Sequence, residues 1–193
     1  MEIVLASTSK FKSDILSRCH IKHKCMSIDY EENSNETDYK KYVMELALGK
    51  AECLRNEVNG IIIGIDNVVV IDDKIIEKPK SIDEARSNLV KSSNNVSKVI
   101  SGLAIIDTIN DKVLNTYQET LVYMNDISED DIDYYIDNED GVMYAAGFII
   151  ENIASNFINK IEGSYYNILG VPVEKIYEIL KEWGYSLKDI NES

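Results

Sequence analysis

The chain has 193 residues, of which 45% are hydrophobic and 28% charged, the composition of an ordinary globular domain with a core of its own. Its formal net charge of −14 repels duplex nucleic acid and anionic lipid, so we expect neither a nucleic-acid nor a membrane partner. The sequence also has no apolar stretch near the roughly 18 residues of a membrane span, and its three cysteines form no CxxC pair. We therefore expect a cytoplasmic protein.

The first half of the chain alternates strand and helix patterns. An apolar run predicts a buried strand over residues 2–6, and the hydroxyl residues that follow it can cap a helix that starts near Lys10. Apolar residues at helical spacing predict a longer helix from Asp38 to about Val58. A second apolar run, residues 61–71 with one interruption, predicts a strand that turns into a short hairpin partner.

The middle of the chain continues this mixture. Ser81 and Ser128 are predicted N-cap residues of two helices, and the acidic residues that follow each of them suit the positive end of a helix dipole. Two long strand candidates, residues 96–107 and 113–124, lie between these helices and are joined by a short polar turn.

The C-terminal part adds a predicted strand over residues 155–161 and a last helix from Pro172 to about Trp183. Helices join some of the strands and hairpin turns join others. The sequence therefore predicts an α/β fold with a mixed twisted sheet flanked by helices, in a single domain over residues 1–193.

Two charged residues break these local patterns, and such positions tend to be sites. Asp66 lies inside the apolar run 61–71, where a carboxylate must be paired, protonated or bound to a cation. It is either an edge or bulge residue that meets solvent, or a carboxylate held at a strand end to bind a metal or take a proton. Lys50 falls within the apolar stripe of the helix predicted over 38–58, where it either snorkels to the surface or binds a buried phosphate.

Three further segments are candidates for the same site. The loop after the first strand offers hydroxyls and backbone N–H groups to an anion. Lys10 and Lys12 oppose the helix dipole there, a conflict that a bound phosphate would remove. Lys78-Pro79 is by itself a turn, and the acidic segment 29–32 is either a solvated loop or brings a carboxylate to a metal.

Together these features resemble the Maf family, which is similar in fold to the inosine-triphosphate pyrophosphatases. The resemblance extends over nearly the whole chain, to about residue 184. The matching segments are, in chain order, Leu5–Ser9, Asp29–Glu32, Glu45–Ala51, Gly64–Asp66, Lys78-Pro79, Glu162–Tyr165 and Gly170–Pro172.

The resemblance implies hydrolysis of a nucleoside triphosphate to the monophosphate and pyrophosphate, by metal-assisted attack of water on the α-phosphate. It implies that Asp66 acts as general base and metal ligand, and that Glu32 helps to hold Mg²⁺ or Mn²⁺. It also implies a homodimer. The residues that would bind phosphate oxygens are Ser7, Lys12, Lys50 and Lys78.

The chain departs from the usual opening of the family, Ser-Pro-Arg-Arg, because Ser9 is followed by Lys10, Phe11 and Lys12. A lysine keeps the charge of an arginine but loses its two-pronged contact with phosphate. This departure leaves open a second class of function, a nucleotide-binding regulator with little turnover. A third class, an interaction scaffold that uses the acidic surface, would show no affinity for nucleotides.

Three positions at which the branches of the family differ correspond to Phe11, Asn67 and Glu151. They favour the branch that acts on 7-methyl-GTP, because a methylated guanine is cationic and attracts an aromatic face such as Phe11. The carboxylate of Glu151 could accept both N–H groups on the Watson–Crick edge of that base. The sequence thus favours 7-methyl-GTP or another modified nucleotide, with dTTP or UTP as the alternative.

Overall fold

A computed structural model describes residues 2–144 and 146–191 of the chain. By their internal contacts the residues group into two compact units. The first unit comprises Met1–Asn67, Ile100–Gln118 and Ser164–Ser193, and the second comprises Val68–Val99 and Glu119–Gly163.

The strands of the described chain form one mixed sheet. They are β1 (Glu2–Leu5), β2 (Lys24–Cys25), β3 (Gly60–Ile71), β4 (Lys74–Ile76), β5 (Val96–Asp107), β6 (Lys112–Met124) and β7 (Ile158–Glu162). The strand order is β2-β1-β3-β5-β6-β7, with β4 paired to β3. β1 runs parallel to β2 and β3, whereas β4 is antiparallel to β3 and β7 is antiparallel to β6. The predicted mixed sheet is therefore confirmed.

Helices connect several of these strands. They are α1 (Lys10–Arg18), α2 (Tyr39–Glu52), α3 (Ile82–Ser92), α4 (Glu129–Asn138), α5 (Tyr165–Ile168), α6 (Val173–Glu182) and α7 (Leu187–Asn191). The side chains of Ser9, Ser81 and Ser128 each accept a hydrogen bond from the backbone N–H three residues further on, as expected of N-caps. Among the described residues, no helix combines the length and the apolar character needed to cross a membrane.

The end of α2 differs from the prediction. The helix stops at Glu52 rather than near Val58, because the following N–H groups of Leu54 and Arg55 bond to carbonyls only three residues back. Leu54 and Val58 are nevertheless buried, so the apolar residues beyond Glu52 still face the core although the backbone there forms tighter turns.

Two strand boundaries also differ. β3 continues without interruption through Asp66 and Asn67. The strand predicted over residues 155–161 is instead a 3₁₀ turn, Ile153–Phe157, followed by β7. α5 and α7 were not predicted, since helices of four and five residues are too short to show a periodic pattern.

In the first unit, α2 lies directly against the backbone of β3 and β5. A Cβ atom on Gly64 would overlap the carbonyl oxygen of Ala47, and one on Gly102 would overlap that of Val43. The core there is built mainly from small and branched residues: Val4, Ala6, Ala47, Ala51, Leu54, Val58, Ile62, Ala104 and Ile106. This close packing brings the second half of α2 to the point on β3 where Asp66 stands.

A buried carboxylate also fastens the C-terminal segment of the first unit. Asp107, at the end of β5, accepts hydrogen bonds from the backbone N–H groups of Ile109 and Asn110. It accepts two more, both of 2.7 Å, from Nδ2 of Asn110 and the hydroxyl of Tyr185. Burial acts to raise the pKa of Asp107, but these hydrogen bonds outweigh it and hold the pKa below the ordinary 3.8.

We expect Asp107→Asn to lower the free energy of unfolding by about 2 kcal/mol at pH 7. The amide replaces one accepting oxygen by an NH₂ group, which would face N–H or O–H donors that then lose their acceptor. Since the folded pKa lies below the unfolded one, the carboxylate stabilises the fold above about pH 4 and loses this effect as the pH falls through the folded value. Urea unfolding at pH 7 measures the loss of stability, and unfolding in steps below pH 4 measures its disappearance at low pH. The exposed Asp111→Asn, the same change in the next turn, should alter stability by less than about 0.5 kcal/mol. Equal losses from the two variants would contradict the assignment.

Candidate active site

One lysine of the first unit lies between two carboxylates. Lys50 is on α2, Asp66 is on β3, and Glu32 is in the loop between β2 and α2. Nζ of Lys50 lies 2.5 Å from Oδ1 of Asp66 and 2.6 Å from Oε1 of Glu32. The side chains of Lys50 and Asp66 are only 12% and 13% exposed, whereas that of Glu32 is 55% exposed. We refer to these three residues as the Lys50 cluster.

The charge on Lys50 is maintained by its partners. Burial acts to lower the pKa of the Lys50 ammonium, but the charges of Asp66 and Glu32 and their hydrogen bonds outweigh it. The pKa is therefore raised above the ordinary 10.5. Lys50 does not snorkel to the surface, and Asp66 does not simply meet solvent. The two residues that break the sequence pattern therefore form an ion pair with each other.

A second ammonium group lies beside this cluster. Nζ of Lys12, on α1, donates to the carbonyl of Ile65 at 2.9 Å. Burial lowers the pKa of Lys12 from 10.5 to about 8; the charge of Asp66 opposes this effect and that of Lys50 adds to it. The two ammonium groups offset the charges of Asp66 and Glu32, so the four side chains together are formally neutral. An anionic ligand that brings a divalent cation with it would match this mixture of charges.

The loop after β1 folds into a compact turn around Ser7. The N–H of Ser7 donates to the carbonyl of Leu5 at 2.8 Å, and the N–H of Ser9 donates to Oγ of Ser7 at 3.1 Å. Because the Ser7 hydroxyl accepts that bond, its own proton can be donated to an incoming oxygen.

Two of the predicted base-recognition residues belong to the first unit. Phe11 lies on α1 and is 43% exposed. Asn67 follows Asp66 on β3, and its Nδ2 donates to Oγ of Ser101 at 2.5 Å. Gly170 has a φ of +83° and packs so closely against Asn67 that a Cβ would lie 3.2 Å from Oδ1. The Asn67 side chain is thus held in one orientation.

The other two predicted residues, Lys78 and Glu151, belong to the second unit. Nζ of Lys78 lies 5.3 Å from the centre of the Tyr144 ring, and both Lys78 and Glu151 are exposed. The structure therefore brings together four of the nine predicted residues around one point of the first unit: Lys12, Glu32, Lys50 and Asp66.

Two tyrosines that were not predicted as site residues border the Lys50 cluster. Burial raises the pKa of Tyr42, and the charges of Asp66 and Glu32 add to this effect. Burial also raises the pKa of Tyr30, with the charge of Glu45 as the next cause. Tyr42 stands eight residues before Lys50, so helical spacing could have placed both on one face of α2.

The carboxylates of the Lys50 cluster fit a hard divalent cation in part. Asp66 and Glu32 offer oxygen ligands that converge on one positive charge, the Lys50 ammonium. Within the described ranges, no group of three His, Cys, Asp or Glu side chains is arranged to hold a metal by itself. This donor set suits Mg²⁺, which commonly takes one or two protein carboxylates and completes its shell with water and substrate phosphates.

Known protein sequences resemble this chain over nearly its full length. The family model described as Maf-like protein matches residues 2–183. The dTTP/UTP pyrophosphatase of Dictyoglomus thermophilum is 36% identical over 189 residues, which cover 96% of this chain and 98% of that protein. The dTTP/UTP pyrophosphatases of Thermoanaerobacter sp. (strain X514) and Clostridium novyi are 34% and 31% identical, covering 94% and 97% of this chain and 96% and 100% of their own.

Solved structures share the fold. The Ham1 protein of Staphylococcus aureus superposes with a TM-score of 0.53 at 11% identity, covering 95% of this chain and 100% of that chain. A HAM1 protein from Coxiella burnetii gives a TM-score of 0.51 at 13% identity, covering 94% and 99%. At such low identities the similarity shows the fold alone, and it confirms the predicted fold class.

Proposed function

The chain belongs to the Maf family of nucleotide pyrophosphatases, and from this premise we propose that it hydrolyses a pyrimidine nucleoside triphosphate, dTTP or UTP, to the monophosphate and pyrophosphate. The observation that carries the proposal is the Lys50 cluster. It combines a fixed ammonium with two carboxylates, beside the ammonium of Lys12. A triphosphate with its divalent cation supplies the complementary charges.

The reaction that suits this arrangement is attack of water on the α-phosphorus. Oδ1 of Asp66 contacts Lys50, so Oδ2 is the oxygen that would accept the proton of the attacking water. The new bond joins the water oxygen to the α-phosphorus, and the bond from that phosphorus to the oxygen bridging to the β-phosphorus breaks. Pyrophosphate then leaves with the bonding electrons.

The cationic residues would act on the phosphate oxygens. Lys50 and Lys12 offset the negative charge that develops on the phosphate groups, and Ser7 donates its hydroxyl proton to another oxygen. Lys78 is proposed for the same role because the resemblance assigns it there. Asp66 and Glu32 would hold Mg²⁺ or Mn²⁺, which when bound supplies Lewis-acid polarisation of the phosphate.

The relatives support a pyrimidine substrate. Those named above are dTTP/UTP pyrophosphatases and align along almost the whole of this chain. The preference for 7-methyl-GTP expected from Phe11, Asn67 and Glu151 finds no support among them. Their names also favour turnover over a regulator that only binds nucleotides. The homodimer and the cytoplasmic location stay predictions.

A panel of nucleoside triphosphates with pyrophosphate release as the readout tests the proposal. The panel contains dTTP, UTP, CTP, GTP and 7-methyl-GTP, each with Mg²⁺ and with Mn²⁺. We expect the highest kcat/KM with dTTP or UTP. A higher value with 7-methyl-GTP would restore the original expectation, and binding of triphosphates without pyrophosphate release would favour the regulator.

Lys12 should give the activity a pH dependence. Because its pKa is about 8 in the free protein, Lys12 loses its charge as the pH rises from 7 to 9. The ratio kcat/KM reports groups of the free enzyme, so we expect it to fall above about pH 8. In Lys12→Arg the charge persists, because a guanidinium stays protonated throughout this pH range, and the fall should disappear. A fall of the same size and midpoint in the arginine variant would exclude Lys12 as its cause.

A further inference from the structure

The acidic loop that carries Glu32 lies along one stripe of α2. Oγ of Ser34 donates to Oε2 of Glu45 at 2.6 Å, and Sγ of Cys53 lies 3.9 Å from the carbonyl oxygen of Asp29. Between these contacts, the ring of Tyr30 covers Gly49. Positions 45 and 49 of α2 and its C-cap residue Cys53 are spaced by four residues, so they lie along the same side of the helix.

Gly49 is the point of closest approach between the loop and α2. A Cβ atom on Gly49 would overlap three atoms of Tyr30: Cζ, Cε2 and the hydroxyl oxygen. Glycine weakens a helix interior, so its presence within α2 calls for a local reason. The Tyr30 ring provides that reason, because it occupies the space that any other side chain would fill.

Both residues of this contact are close in sequence to a member of the Lys50 cluster. Gly49 precedes Lys50 directly, and Tyr30 lies two residues before Glu32. Asp66 is held by strand β3, but Glu32 stands on a loop and its side chain is 55% exposed. An exposed carboxylate on a loop needs other contacts to keep it at a fixed distance from its partner.

We propose that Tyr30 is a positioning residue: its ring, seated on Gly49, clamps the segment 29–34 to α2 and thereby holds the Glu32 carboxylate at the Lys50 cluster. The proposal rests on the proposed function for its kinetic consequences, but not for its structural ones. Tyr30 touches neither substrate nor cation in this scheme and acts only through Glu32.

The first test inserts a methyl group at the contact. Gly49→Ala favours the helix itself, so α2 should remain intact by circular dichroism, while the new Cβ displaces the Tyr30 ring. We expect faster amide hydrogen exchange over residues 29–34 and a kcat/KM lower by about 10- to 100-fold, as for other residues that orient a ligand. Tyr30→Ala should reproduce both effects without adding volume, whereas Tyr30→Phe keeps the ring and should keep the slow exchange.

A double-mutant cycle separates positioning from a general structural defect. If Gly49→Ala acts through Glu32, it should cost little further activity in a Glu32→Gln background, where the carboxylate is already absent. Equal fold-losses in both backgrounds would overturn the proposal, and so would unchanged exchange over 29–34 in Gly49→Ala. If the unmodified protein hydrolyses no triphosphate, the proposed function fails, and the hydrogen-exchange comparison alone then decides whether the clamp exists.

Discussion

Asp66→Asn is expected to lower kcat/KM for pyrophosphate release by about 10³-fold while the protein stays folded. An amide has nearly the shape of a carboxylate, but it cannot take the proton of the attacking water. It also leaves the Lys50 ammonium with Glu32 as its only carboxylate partner within the cluster. The measurement is steady-state pyrophosphate release with dTTP and UTP, and circular dichroism verifies the fold.

The chain contains a matched control for this variant. Asp111→Asn makes the same chemical change at an exposed turn residue of the same unit, where the carboxylate pairs with Arg55. Surface ion pairs contribute little, and asparagine tolerates the φ of +51° found there. We expect Asp111→Asn to retain its turnover. Unchanged turnover in Asp66→Asn would refute the proposed role of Asp66 as general base.

Lys50→Met should produce the second large effect. Methionine fills a similar volume but removes the ammonium that lies 2.5 Å from Asp66 and 2.6 Å from Glu32. Loss of one such donor to a phosphoryl group should lower kcat by about 10²- to 10³-fold. The protein should also lose about 2 kcal/mol of unfolding free energy, less than the ~3–5 kcal/mol of a fully buried pair, because Glu32 is half-exposed.

Lys50→Met should moreover respond to magnesium in the absence of nucleotide. Without the ammonium, Asp66 and Glu32 repel each other, and a divalent cation can replace the missing charge. We expect the Tm of this variant to rise with Mg²⁺ more than that of the unmodified protein. Lys41→Met, on the exposed side of the same helix, is the control for both measurements. If the two lysine variants retain the same activity, the Lys50 cluster is not the reaction site.

Lys50 and Asp66 could be predicted as site residues because each violates a strong local pattern, although the sequence did not show that they pair with each other. An apolar strand fixes the faces of its residues by a period of two, and an apolar helix stripe fixes its own by a period of 3.6. A charge within either pattern either escapes to solvent or points inwards, where it requires a partner. The structure supplies that partner in both cases, at 2.5 Å.

Neither the position of Glu32 beside Lys50 nor the preferred base of the substrate could be derived in this way. The segment 29–32 contains three carboxylates, and a loop without periodicity does not indicate which one turns inwards; only the family resemblance pointed to Glu32. Glycine at position 49 was a signal of the loop contact, but its partner is 19 residues away in sequence. The inference from Phe11, Asn67 and Glu151 depended on three separate side chains whose orientations no sequence pattern constrains.

The close packing of α2 on the sheet limits how the Lys50 cluster can adapt to a ligand. With Gly64 and Gly102 beneath it, α2 can neither slide nor roll without driving a carbonyl oxygen or a side chain into a strand. Lys50 and Asp66 therefore stand on closely packed elements, and we expect their adjustment to a ligand to come mainly from the loops at 7–9 and 29–34. Selection for altered binding of the phosphates or of the cation should accordingly accumulate changes in these loops and leave the contacts between α2 and the sheet unchanged.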